Sequence, residues 1–229
     1  MENAKEMRDE AVSEYEYDSS PELWDYYGGL YDYKFEKEKS EEGRITKKTT
    51  INGYEIDLGG DCFFNFNEKK IKMFKKIDGV EGTPLVDELE ELEKKQHHSK
   101  ENCILLPVTG GLNNVKGRGF DRPDKFLCLI DVFYRNKNLG KEEAVLKSIC
   151  QRPRIKNCEI LVSFMSSFDD VYDFARHFLG IGDAVEDMVG EMLKNGRKDI
   201  ATADGVEEYI KLACEFWDAR KTYEKTRGM

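Results

Sequence analysis

The chain has 229 residues, 36% of them charged and 39% hydrophobic, with a formal net charge of −10. A chain of this length builds a core without metal or disulfide staples, and its charge content gives that core a heavily charged surface. No run of about 18 apolar residues occurs, and the opening MENAKEMRDEAVSEYEYD has no apolar stretch, so neither a membrane span nor a standard export signal is expected. The six cysteines are dispersed, with no CxxC pair, which points to reduced thiols in the cytoplasm.

The charge is unevenly laid out. Residues 1–40 hold 5 Lys and Arg against 12 Asp and Glu, residues 116–156 hold 11 against 5, and residues 157–229 hold 9 against 15. A basic island in an acidic chain attracts anions through its local field whatever the total charge. The competing expectation is that these cations pair with neighbouring acids or face water.

In chain order, residues 1–20 are polar and acidic and are expected as a loosely ordered arm. Ser20-Pro21-Glu22 reads as a helix start, with proline in the first turn and Gly28-Gly29 as the stop. LYDYKF (30–35) alternates and ITKKTTI (45–51) is β-branched, while GYEIDL and CFFNF flank an expected turn at Gly59-Gly60-Asp61. EKKIKMFKKIDG fits strand and helix alike. Thr83-Pro84 opens a helix through Leu85, Leu89 and Leu92 that lasts until His97-His98, and CILLPV (103–108) predicts a short buried strand. From Asp121 the pattern is helical. Phe126, Leu129, Ile130, Phe133 and Tyr134 share a face, a second helix carries Ala144, Val145 and Ile149, and further helices are expected near 158–166, 168–179, 183–194 and 204–222, with breaks at Gly180, Asn195-Gly196 and Gly205. The fold expected is one α+β domain over 1–229: a small antiparallel sheet in the N-terminal half, packed by a mostly helical half over 121–229.

The run Asp121-Arg122-Pro123-Asp124-Lys125-Phe126-Leu127, continuing to Tyr134, resembles the central signature DRxDxxLxxIxxxY of an uncharacterised bacterial protein family. Asn113, Asn114, Lys116 and Gly117 stand where that family has an Asn- and Gly-containing loop, and Phe164, Phe168, Val171, Tyr172 and Phe174 echo its later aromatic segment. Cys128, Asp131 and Val132 replace the Glu and paired arginines that the family carries. The resemblance spans about residues 100–180 and implies that loop and helix form one unit; it implies no activity.

TGGLNNVKGRGFDRPD (109–124) looks at first like a phosphate loop. It is not a GxxxxGK[ST] motif, since Lys116-Gly117 stand in reversed order with Arg118 where Ser or Thr would hold magnesium. Neither Gly117-Arg118-Gly119 nor Gly180-Ile181-Gly182 completes a dinucleotide fingerprint. What remains is a Gly-rich entry to a helix N-terminus carrying Lys116, Arg118 and Arg122, which together with Arg152 and Arg154 make the candidate anion-binding set. The opposing reading has Asp121 capping the helix and Arg122 pairing with Asp124.

FDDVYD (168–173) matches the DDxxD pattern of magnesium-diphosphate sites, making Asp169, Asp170 and Asp173 the candidate metal ligands. The alternative is a helix with Phe168, Val171, Tyr172, Ala175 and Phe178 inward, Ser167 with Asp170 as a capping pair and acids in the first turn. Val185, Met188, Val189 and Met192 likewise read as an inward stripe that leaves Asp183, Glu186, Asp187 and Glu191 in solvent. His97-His98 lack a second ligand pair at zinc spacing, His177 follows Asp173 by one turn, and no GxSxG or HExxH occurs. For nucleic acid the island offers Arg135, Lys137 and Gln151 beside the candidate anion set, and Phe120 or Tyr134 for stacking, with no recognition motif.

The expectation is therefore a cytoplasmic, non-catalytic binding or regulatory protein without a cofactor. It would engage an anionic ligand or acidic partner through loop 110–124 and segment 116–156. The alternatives are a metal-dependent enzyme acting on a phosphate-containing substrate, and an inhibitory interaction protein of phage or mobile-element origin.

Overall fold

The structure, a computed structural model, describes residues 36–39, 45–51, 54–96, 99–107, 112, 122–149 and 158–227. The expected helix near 21–27 and strand at 30–35 lie outside these residues. The described chain is α+β. Strands β1 (Glu36–Lys39), β2 (Ile45–Ile51), β3 (Tyr54–Cys62) and β4 (Cys103–Pro107) form one sheet in sequence order with every neighbour antiparallel. Helices α1 (Glu68–Phe74) and α2 (Pro84–Gln96) lie between β3 and β4. After β4 come α3 (Pro123–Asn136), α4 (Glu142–Ile149), α5 (Cys158–Ser166), α6 (Val171–Phe178), α7 (Val185–Asn195) and α8 (Ala203–Arg227).

Two local expectations are corrected. Gly59-Gly60-Asp61 is no turn: Gly59, Gly60 and Asp61 pair with Leu106, Leu105 and Ile104 inside the continuous strand β3. Glycine gives β3 no side-chain bulk there, and α5 packs against this strand. Gly205 is no break either. It sits in the first turn of α8, where its N–H donates to Thr202 Oγ1 at 3.2 Å. The ambiguous 68–74 run becomes helix because Asn67 accepts from the Lys70 N–H, an N-cap that a strand would not use. Gly180 and Gly182 both have positive φ, so the Gly-x-Gly there serves the turn between α6 and α7.

A continuous core runs from β3 to α8. Immediately after β3, Phe63, Phe64 and Phe66 bury their rings against α8, with Phe63 and Phe216 4.8 Å apart and Phe66 lying 5.4 Å from Tyr209 and 5.8 Å from Trp217. A second aromatic group joins α5, α6 and α3, where Phe174 stacks on Phe178 at 4.9 Å and meets Phe126 at 6.5 Å. Offset and edge-on ring packing of this kind adds to area burial.

Asn102 joins sheet and long helix. It is fully buried, and its side-chain amide pairs with Phe64 as a strand would: Phe64 N–H donates to Oδ1, and Nδ2 donates to the Phe64 carbonyl, both at 2.8 Å. The same Oδ1 accepts from Trp217 Nε1 at 3.0 Å. One α8 turn further on, buried Arg220 donates from Nη1 to the carbonyls of Glu101 and Cys103. Buried polar groups are costly when unmet, so Asn102→Ala is expected to lower stability by about 3–5 kcal/mol, since it strands two donors or acceptors of Phe64 and the indole N–H. Urea unfolding followed at the tryptophans checks this, and a loss below about 1 kcal/mol would remove Asn102 from that role.

Candidate functional site

The described part of the candidate anion set is Arg122; Lys116, Arg118, Arg152 and Arg154 lie outside the described residues, as do Asp121 and His97-His98. Arg122 occupies the N-cap position of α3 in extended conformation without capping through its side chain, and Pro123 follows in the first turn. This fits the restricted backbone before proline. The side chain instead turns inward and is 4% exposed, beside Asp124 at 2%.

There the guanidinium grips the Asp124 carboxylate with both edges. Nε donates to Oδ1 at 2.9 Å, and Nη2 donates to Oδ2. Nη2 also donates to the Asn195 carbonyl at 3.2 Å and Nη1 to the Lys198 carbonyl at 2.8 Å. Four of the five guanidinium N–H donors are thus met by protein. Asp124 Oδ1 additionally accepts from the Lys125 N–H at 2.9 Å, placing negative charge in the first turn of α3 where the helix dipole favours it. The carbonyls belong to the segment leaving α7, so this pair locks the start of α3 onto the end of α7. Gly196 permits the approach: a Cβ there would stand 2.8 Å from Cys128 Sγ and closer still to the Asp124 carbonyl.

The remaining described cations of the basic island are also largely engaged. Lys125 pairs with Asp199 at 2.7 Å, Arg135 with Asp131 at 2.6 Å, and Lys147 with Glu143. Lys137 donates to the Phe168 carbonyl and lies 5.8 Å from the Tyr134 ring centroid. Among the described residues of this segment only Lys141 has no such partner. Of the 11 cations in 116–156, those left after these pairings are concentrated in residues 116–118 and 152–156.

Next to the Arg122 pair is a cavity of about 210 Å³ between the α7–α8 connection and the first turns of α8. It adjoins a groove of about 670 Å³ between α7 and α8. Glu191 meets Lys194 at 3.3 Å and Lys211 meets Glu215 at 3.7 Å along that groove, over a floor that includes Met188 and Leu212. Exposed pairs of this kind contribute little each.

Two of the three DDxxD carboxylates, those of Asp170 and Asp173, accept backbone N–H groups at the start of α6. Asp170 is its N-cap, with Oδ1 accepting from the N–H groups of Tyr172 and Asp173 at 2.8 Å, and Asp173 Oδ2 accepts from the Asp169 N–H at 2.9 Å. Asp170 thus caps the Asp173 N–H while the Asp173 side chain reaches back to the residue before the cap, and Ser167 Oγ donates to the Ser163 carbonyl. No group of three or more His, Cys, Asp or Glu among the described residues is arranged to hold a metal. Tyr134 donates its hydroxyl to the Met165 carbonyl at 3.0 Å. Burial first, then the nearby Asp173 and Asp170 charges, pushes this phenol well above its usual range.

Three thiols are shifted away from reactivity. Burial, followed by the Asp124 charge, raises Cys128, whose Sγ–H donates to the Leu193 carbonyl at 3.4 Å; burial is also the main cause at Cys158 and Cys214. A nucleophilic cysteine needs the opposite shift.

No family model, curated protein or solved structure matches this chain. The arrangement of its own residues is thus the ground for a functional reading. Among the described residues no helix is long and apolar enough to cross a membrane. Reading the sequence missed Asn102 and Arg220. Arg220 carried a signal, because it continues the stripe of Ala213, Phe216 and Trp217 at helical spacing, whereas Asn102 stands at a strand end with no periodicity to mark it.

Three outcomes are expected. Asp124→Ala leaves a buried guanidinium without its counter-charge and is expected to cost about 3–5 kcal/mol in urea unfolding, while Arg122→Met with Asp124→Leu recovers most of that loss; equal losses in both variants would contradict a pair isolated from ligand. Asp170→Ala is expected to cost about 1 kcal/mol as a lost N-cap. Magnesium, manganese and zinc are expected to leave the melting temperature of the wild type unchanged, and a metal-dependent rise abolished in Asp170→Ala would restore the metal reading.

Proposed function

We propose that the chain is a non-catalytic binding or regulatory protein that engages an anionic ligand or acidic partner through Lys116, Arg118, Arg152 and Arg154, with Arg122 holding the adjoining helix in place. The supporting observation is the partition of charge. Within 122–149 the cations are nearly all matched by carboxylates or carbonyls, which concentrates the surplus of the basic island in the two stretches flanking the α3–α4 pair. Cations clustered in sequence on such stretches would provide the field that steers an anion and the donors that hold it.

Against the catalytic alternative, the Asp170 and Asp173 carboxylates accept backbone N–H groups at the start of α6, and the three shifted thiols are raised. The reading against which the proposal competes is a wholly paired, solvated surface.

Fluorescence anisotropy with a labelled single-stranded oligonucleotide, polyphosphate and polyglutamate at low salt tests the proposal. The wild type is expected to bind at least one polyanion. Lys116→Ala with Arg118→Ala, or Arg152→Ala with Arg154→Ala, should weaken oligonucleotide affinity about tenfold and flatten its salt slope by about 2. Lys141→Ala is expected to change neither. Absence of binding at low salt, or affinities indifferent to both double substitutions, would overturn it.

A further inference from the structure

Cys62 closes β3 and Cys103 opens β4, and the two are direct partners in the antiparallel register. Directly opposed residues project their side chains from the same face of a sheet. Antiparallel partners alternate between hydrogen-bonded pairs, about 5.5 Å apart at Cα, and non-hydrogen-bonded pairs, about 4.5 Å apart with closer side chains. Two observations place Cys62 and Cys103 in the closer class. The Phe63 N–H donates to the Asn102 carbonyl at 2.6 Å, so the bond falls on the next pair along. Counting back by alternation, the Leu58–Pro107 pair belongs to the same class as the cysteines, and Pro107 has no N–H to give to β3. A Cα separation near 4.5 Å lies within the range that a disulfide spans. Neither sulfur is in a disulfide, and Cys62 is 7% and Cys103 0% exposed.

We propose that Cys62 and Cys103 are a paired thiol modification site that forms a cross-strand disulfide on exchange with a low-molecular-weight disulfide such as oxidised glutathione. The Cys62 thiolate, the less buried sulfur, attacks one glutathione sulfur, forms a mixed disulfide and expels the other glutathione as thiolate. Cys103 gives up its proton to the glutathione thiolate expelled in the first step and attacks the Cys62 sulfur, releasing the second glutathione. Two protein thiols are oxidised and one glutathione disulfide is reduced to two thiols. The closed loop of about 40 residues carries α1 and α2, and the cross-link fixes β4 beside Asn102 and beside the Cys103 carbonyl that receives Arg220. Loop closure of that length raises the melting temperature by about 10 °C.

The test uses the full chain, unfolded in urea and refolded in oxidised and reduced glutathione so that burial does not limit exchange. Free thiols are then alkylated, and a non-reducing digest is read by mass spectrometry beside a melting curve. The expected result is a linked Cys62–Cys103 peptide, four remaining thiols of the six, and a melting temperature about 10 °C higher that dithiothreitol cancels. The rise should be missing from Cys62→Ala and Cys103→Ala. Six free thiols after oxidative refolding, a disulfide joining any other pair, or a Cys62–Cys103 link that leaves the melting temperature unmoved would overturn the proposal; the peptide map of the wild type decides even if a variant fails to fold.

Discussion

A guanidinium withdrawn from water has to be met by acceptors where it lies, and Arg122 meets this demand with one carboxylate and two carbonyls from a helix end more than seventy residues away in sequence. Much of the C-terminal half is arranged around that contact. It sets the start of α3 against the end of α7, and the two helices pack closely from there. Phe126, Phe133 and Tyr134 then project from α3 into the aromatic group formed with α5 and α6. Asn102 and Arg220 do the equivalent at the other junction, bonding sheet ends to α8. At each junction a long polar side chain binds backbone groups that no strand or helix ladder reaches, which satisfies the buried backbone and fixes one relative placement of the elements.

That use of Arg122 divides the basic island into two kinds of charge. Cations within 122–149, Lys141 apart, hold the fold together or balance a neighbour, and their field is largely cancelled at short range. Lys116, Arg118, Arg152, Arg154 and Lys156 lie outside the described residues, and the proposed binding role is assigned to the first four of them.

Much of the helical half was legible in the sequence because its stripes are long and regular. Val185, Met188, Val189 and Met192 predict the buried face of α7, and Thr83-Pro84 predicts the start of α2. The errors fall where pairing across the chain overrides local preference. Gly59-Gly60 carries a strong turn signal, yet β4 supplies partners to both residues and keeps β3 extended. The DDxxD pattern held the acids needed for a metal site and equally those needed for an N-cap, and only their N–H partners distinguish the two. Asn102 was illegible because its value depends on Phe64 and Trp217, which are 38 and 115 residues away. Arg122 was legible as two alternatives. Burial decides between them, and burial is a property of the folded chain.

The central claim, that Arg122 belongs to the architecture and not to a ligand, is tested most directly at its own Nε–H. In a nitrogen–proton correlation spectrum at neutral pH, a guanidinium Nε–H bonded to a buried carboxylate exchanges slowly with solvent and gives a resolved signal. The account predicts that Arg122→Lys identifies such a signal for Arg122, and that titrating the wild type with phosphate or oligonucleotide at low salt leaves it in place. A signal lost to rapid exchange, or one that moves in step with anion binding, would contradict it.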